Sequence, residues 1–318
     1  MNPLHYAGAA LAWLGRQGTR AVALPFLIAI PLAPFLPSAK PYLPETIFLL
    51  LVLSFLRVRP QALRGHLTRP LVFATSVWIM LLLPAVLGFA FIAAGLPDLA
   101  PGIFLGLMLQ AMAPPIMVTP ALAALIGLDV ALVLATLIVC VVATPLTAAG
   151  FAAVFVGTGF AISAPDLGGK LFLLLAGSAF AAALIRRCAG QLWLDAQHET
   201  FDGINIVILF VFALAAMDGV LPALLADPVG TLGLAAAAFA LTLAMLALTV
   251  LVFIRAGRLQ ALAIAISASN RNMGLMLAAV SGTLPESTWL YFGLAQFPIY
   301  LMPEVLKRLA RRMDAGQT

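Results

Sequence analysis

The residues most able to do chemistry are Ser267, Ser269, Asn270, Arg271 and Asn272, followed by Gly274. They sit between two apolar stretches, 259–266 and 275–280. A planar guanidinium holds a carboxylate or sulfonate through two parallel hydrogen bonds, so the chemistry these side chains suggest is anion binding. An arginine at the centre of an apolar span costs about 2.5–3.5 kcal/mol on insertion scales. Such a cluster is tolerated only where it faces a protein interior or a water-filled cavity. Arg271 therefore has two readings of equal weight. It contacts an anionic substrate, or it pairs internally with a carboxylate or with free carbonyls. Asp218 and Glu304 are the nearest acidic candidates in the sequence.

A second constellation lies in 109–120, where Gln110 precedes Pro114, Pro115, Thr119 and Pro120. Proline lacks the backbone N–H and clashes with the preceding turn, so the stretch reads as an unwound crossover lining a cavity or, alternatively, as a kinked helix packed against its neighbours. The carbonyls it frees must find water, a side chain or a ligand. The 267–274 run breaks its own helix, because serine, asparagine and glycine favour caps over helix interiors. Asn272 is placed to cap a second half-helix, whose N-terminal dipole would attract an anion. Gln110 and Gln296 line the same site or bond between helices. Asp98, Asp129 and Asp227 read as helix N-caps, and Pro84, Pro145 and Pro298 as kinks.

The elements that must position these groups are apolar helices. The chain has 318 residues, of which 64% are hydrophobic and 9% charged. Soluble domains carry about 25% charged residues, so an all-α polytopic membrane protein is expected. Ten spans are read, near 21–37, 43–56, 70–95, 100–127, 129–156, 168–187, 203–224, 228–254, 259–282 and 287–306. With the N-terminus in the cytoplasm, fourteen of the 17 lysines and arginines fall on that side. Only Lys40 and Lys170 fall outside, and Arg271 is left within. This asymmetry supports the count, an inner-membrane location and two cytoplasmic termini.

The same distribution argues against a nucleic-acid partner, although the net charge is +5. In residues 1–20 the first basic residue, Arg16, follows the apolar part, unlike a signal peptide. That segment reads as an interfacial helix with Trp13 at the headgroups. Cys140 and Cys188 form no disulfide framework, and His5, His66 and His198 lie too far apart in sequence for a metal site. No metal or other cofactor is expected. The lipid bilayer and a small organic anion are the expected partners, with the chain a monomer or homodimer.

Ten spans divide into five plus five, 21–156 and 157–318, and an odd-numbered repeat must be inserted inverted the second time. The broken fourth and ninth spans occupy matching places in the halves, which points to an inverted-repeat transporter with its site at the breaks.

The proline-broken fourth span leading to Gly127-Leu128-Asp129-Val130-Ala131-Leu132, and Arg271-Asn272-Met273-Gly274-Leu275 in the ninth, resemble the bile acid:sodium symporter superfamily, in particular its bacterial members. The resemblance implies two inverted five-helix repeats. Helices 1, 2, 6 and 7 would form a panel domain and helices 3–5 and 8–10 a core domain, with helices 4 and 9 crossing at their unwound centres. It further implies organic-anion transport, usually sodium-driven. The chain departs from the family where sodium would bind. Thr119-Pro120 stands in place of a Ser-Asn pair, and Val133 and Leu137 in place of serine and threonine. Ser267 takes the place of a glutamate, Arg271 that of a glutamine, and Ile79 that of another glutamine. Hard cations need oxygen ligands and a guanidinium repels them, so sodium coupling is disfavoured.

The expected function is an alternating-access carrier of a small organic anion. Arg271, Asn270, Asn272, Ser269, Ser267, Thr119, Gln110 and Gln296 would form its site. The alternatives are an auxin-efflux-like anion exporter and a membrane receptor that binds the anion without moving it. An enzyme is not expected, because the spans hold no clustered carboxylates or serine-histidine arrangement.

Overall fold

The computed structural model describes residues 10–16, 20–58, 65–156, 163–280 and 284–315, with the side chains of 20–23, 300 and 302–315 outside that description. His5, Arg59 and Arg64, and the side chain of Glu304, therefore lie outside the described residues.

Helices stand where the apolar runs are. They are α1 (Arg20–Leu32), α2 (Leu43–Arg57), α3 (Pro70–Ala93), α4 (Pro101–Met112), α5 (Thr119–Ile126), α6 (Val130–Phe151) and α7 (Ala164–Ala189). After them come α8 (His198–Met217), α9 (Val220–Ala226), α10 (Pro228–Phe253), α11 (Arg258–Ser269), α12 (Met273–Val280) and α13 (Glu286–Ala315). Among the described residues, five helices are long and apolar enough to cross a membrane: Pro70–Ala93, Val130–Val156, Ala164–Ala189, His198–Ala226 and Pro228–Ala256. The half-helices α4, α5, α11 and α12 run 8 to 12 residues, so each alone is too short to span about 30 Å of hydrocarbon. Large apolar side chains stand outward, including Val142 and Leu146 on α6 and Phe73 and Phe89 on α3. The long apolar helices fit a protein embedded in a membrane.

Local chemistry sets the boundaries. Asp129 accepts from the Leu132 N–H at 2.9 Å and caps α6. Gly127, with φ +86°, turns the chain out of α5 in the left-handed conformation that glycine adopts without strain. Asp98 does not cap: it lies inside the one-turn helix Leu96–Leu99, whose N-cap is Gly95.

The chain forms two compact units that each draw on both halves of the sequence: 1–58 with 173–228, and 59–172 with 229–318. In the first unit, Phe26 and Phe212 join α1 to α8 edge to face, their centroids 6.0 Å apart. Arg186 donates through Nη2 to the Phe55, Leu56 and Val58 carbonyls at 2.9, 3.2 and 2.9 Å. One cation thus satisfies the orphan carbonyls at the end of α2 and complements its dipole. Residues 10–15 are helical, Trp13 is exposed, and Arg16 pairs with Glu199 at 2.9 Å. Asp218 accepts from Ser38 at 2.6 Å and lies 3.5 Å from Lys40. It is thus engaged within the first unit and is not the carboxylate partner of Arg271.

In the second unit, Ala123, Leu128, Val133, Leu262, Ala263 and Ile266 pack α5, α6 and α11 together. Thr75 and Thr136 join α3 to α6 by a hydroxyl–hydroxyl bond of 2.9 Å, and Trp78 donates to Thr249 of α10 at 2.9 Å. Where lipid removes any hydrophobic drive between helices, packing and such bonds hold them together. Gly106 lets α4 approach α13, since a Cβ there would stand 2.8 Å from the Tyr291 ring. Gly106→Val should therefore cost about 1–3 kcal/mol by overpacking. A lowered thermal midpoint of the detergent-solubilised protein would report it.

Candidate functional site

The two breaks meet. Pro115 and Arg271 form an antiparallel bridge, the only extended pairing among the described residues. Ile116 N–H donates to the Asn270 carbonyl at 2.9 Å, and Asn272 N–H donates to the Pro114 carbonyl at 2.8 Å. Each break thus supplies the main-chain partner that the other lacks. Helix ends leave four N–H and four C=O groups unpaired, and in an apolar interior they must be satisfied locally.

Arg271 completes this accounting. Its Nη1 donates to the Ala113 carbonyl at 2.8 Å and to the Ile79 carbonyl at 3.1 Å. The Ala113 carbonyl is free because the helix stops at Met112. The Ile79 carbonyl is free for a subtler reason. Residues Trp78–Leu82 form a π-turn, in which the Leu83 N–H reaches five residues back to Trp78. The next donor in that pattern, the one due to Ile79, is Pro84, which has no N–H. The guanidinium therefore caps the carbonyls freed by two separate proline devices. This realises the carbonyl-capping form of the internal reading.

The remaining polar groups divide by how far they are already committed. Ser267 and Ser269 donate to the Ala263 and Ile266 carbonyls of their own helix, at 3.2 and 3.5 Å. Thr119 donates to the Ile116 carbonyl, and Gln296 Nε2 to the Phe292 carbonyl at 3.0 Å. Gln110 accepts from the Tyr291 hydroxyl and donates to Thr242 at 3.5 Å, linking α4, α13 and α10. Asn272 Oδ1 accepts from the Leu275 N–H at 3.2 Å and caps α12 ahead of Gly274. Asn270 and Arg271 carry buried polar atoms that are left over. Both atoms of the Asn270 carboxamide, and Nε and Nη2 of Arg271, are buried without a hydrogen-bond partner.

Access divides the site differently. Asn270 and Arg271 are both 0% exposed. Within 261–280 every residue is buried except Asn272, which is partly exposed. In the facing break Ile116, Met117, Val118 and Pro120 are partly exposed, while Pro114 and Pro115 are buried. Asn272, at the N-terminus of α12, is thus the accessible polar side chain, and Arg271 lies buried beside it in the chain. Sequence reasoning did not single out the Ile79 carbonyl or Tyr291. Pro84, five residues beyond Ile79, was a readable signal for the first. Nothing in the local pattern pointed to Tyr291, which lies 181 residues from its partner Gln110. The positions Val133 and Leu137 are buried among apolar neighbours. Neither carries an oxygen that could ligate a cation.

Comparison with protein-family models and with curated proteins finds no match.

The capping role yields a thermodynamic test. Arg271→Ala should cost several kcal/mol, since each buried carbonyl left unpaired costs about 1–3 kcal/mol. Pro84→Ala restores a donor for Ile79, so it should recover part of that loss in the double variant. A double-mutant cycle on thermal or denaturant unfolding should show a favourable coupling of about 0.5–1.5 kcal/mol. Strict additivity would remove the proposed link between Pro84 and Arg271.

Proposed function

We propose that this protein is a membrane carrier for a small organic anion, working by alternating access on a ten-span, inverted-repeat plan of the bile acid:sodium symporter type. The observation that carries the reading is the crossing of two interrupted helices, joined back to back at Pro115 and Arg271. Interrupted helices at matching places in two halves are where secondary transporters bind their cargo. Ten spans follow if α4 with α5, α11 with α12, and α8 with α9 each count as one. The two compact units take the segments that this plan assigns to a panel and a core.

The anion would engage the partly exposed Asn272 and the N-terminus of α12. Asn272 Nδ2 remains as a donor once Oδ1 has capped the helix. Arg271 lies beneath, and its charge makes the crossover electropositive without direct contact in this conformation. Transport would be independent of sodium, because a tethered guanidinium already occupies the freed carbonyls of Ile79 and Ala113.

Reconstitution in proteoliposomes tests this reading. Saturable uptake of a small carboxylate or sulfonate is expected, unchanged when an inward sodium gradient is imposed. Asn272→Asp keeps a good N-cap but adds negative charge where the anion arrives. It should leave the thermal midpoint nearly unchanged and reduce uptake by roughly tenfold or more, the equivalent of about 1.4 kcal/mol. Strong stimulation by sodium would refute the tethered-cation part. Absence of uptake across a panel of anions would favour a receptor that binds without transport.

A further inference from the structure

We propose that Arg271 holds a small inorganic anion, a halide such as chloride, on its Nε–Nη2 edge, at a site separate from that of the organic anion. Nη1 is tied to the Ala113 and Ile79 carbonyls at 2.8 and 3.1 Å, which fixes the plane of the guanidinium. The opposite edge then points in one direction and presents two parallel donors, both buried and both without a protein partner. A guanidinium stays charged in proteins. Carbonyl dipoles offset only part of that charge, and an uncompensated buried ion is strongly unfavourable. Among the described residues no carboxylate pairs with Arg271, and Asp218, the acidic candidate whose side chain is described, is engaged with Lys40. A counter-anion on the free edge removes the imbalance.

The surroundings select the size of that anion. Arg271, Ile79, Ala113, Ser76 and Cys140 are all buried, with Arg271 itself at 0% exposure. At 0% exposure Arg271 offers no open surface to an organic anion, whereas a monatomic ion needs room for a single atom against the fork. The organic anion meets Asn272 instead, the accessible polar position, so the two ligands do not compete for one group. The proposal does not depend on transport, because it concerns equilibrium binding to the folded chain.

The test uses the full chain purified in detergent and exchanged between chloride, bromide, gluconate and sulfate. Chloride and bromide should raise the thermal midpoint by about 2–4 °C over gluconate and sulfate, since a ligand of the folded state stabilises it by mass action. Equilibrium dialysis with radioactive chloride should show saturable binding of one ion per chain. Arg271→Lys keeps the charge and can still donate to the carbonyls but lacks the fork, so the folded variant should lose both effects. Wild-type protein without saturable halide binding would overturn the proposal, whatever the variants do. An undiminished halide effect in folded Arg271→Lys would overturn it too, by placing the ion elsewhere. Halide binding in a protein that moves no organic anion would leave the proposal intact and count only against the carrier reading.

Discussion

Everything at the centre of the second unit depends on how backbone carbonyls are satisfied where prolines have removed their donors. Pro114, Pro115 and Pro120 break one helix, the 270–272 segment breaks another, and Pro84 frees a carbonyl from a third. Left alone, each unpaired group would cost several kcal/mol in an apolar interior. They are satisfied by one another. Two main-chain bonds of 2.9 and 2.8 Å join the breaks, and one arginine nitrogen gathers the carbonyls of Ile79 and Ala113. The breaks are stable only as a pair, because neither supplies its own partners. This coupling explains why two segments more than 150 residues apart in the chain carry complementary irregularities.

The surrounding packing follows from holding such a crossing rigid. Gly106 admits Tyr291 against α4, Tyr291 reaches Gln110 one turn further along, and Gln110 reaches Thr242. Polar side chains that looked available for a ligand are largely committed to this internal task. Ser267, Ser269, Thr119 and Gln296 return their donors to nearby carbonyls, as hydroxyls and amides in apolar helices commonly do. Such bonds lower the cost of a polar residue without making it a contact for anything else. Asn272 is the accessible edge of this cluster of polar residues.

Much of this was legible in the sequence. Apolar run lengths located most helices within a few residues, since a run of apolar side chains has few other uses, but the last helix runs on to Ala315, past the end of its apolar run at 306. The prolines of 114–120 and the serine-asparagine run of 267–272 gave the breaks, because their effect on helix is local. The cap supplied by Asn272 is local for the same reason. What stayed hidden was long-range. Whether Arg271 meets a carboxylate, a carbonyl or a ligand depends on which segments cross, and no periodicity encodes that. Whether Ser267, Thr119 and Gln296 have a donor left for a ligand was hidden for a different reason. Sequence shows that a donor exists, not whether the helix beneath it has already taken the hydrogen bond. Asp98 was misread because a one-turn helix begins two residues before it, too short to leave a periodic signal.

A tethered cation differs physically from a mobile one at such a crossing. A bound metal ion must be stripped of water and can leave when the site opens, so its stabilisation varies with concentration. The guanidinium of Arg271 is covalently present at fixed effective concentration, and it satisfies its two carbonyls without a binding step. The two freed carbonyls are therefore paired without an external cation. The arrangement also leaves a permanent positive charge, only partly neutralised by the two carbonyl dipoles, beneath the N-terminus of α12. That charge and the helix dipole have the same sign. Together they make the crossing electropositive beside Asn272.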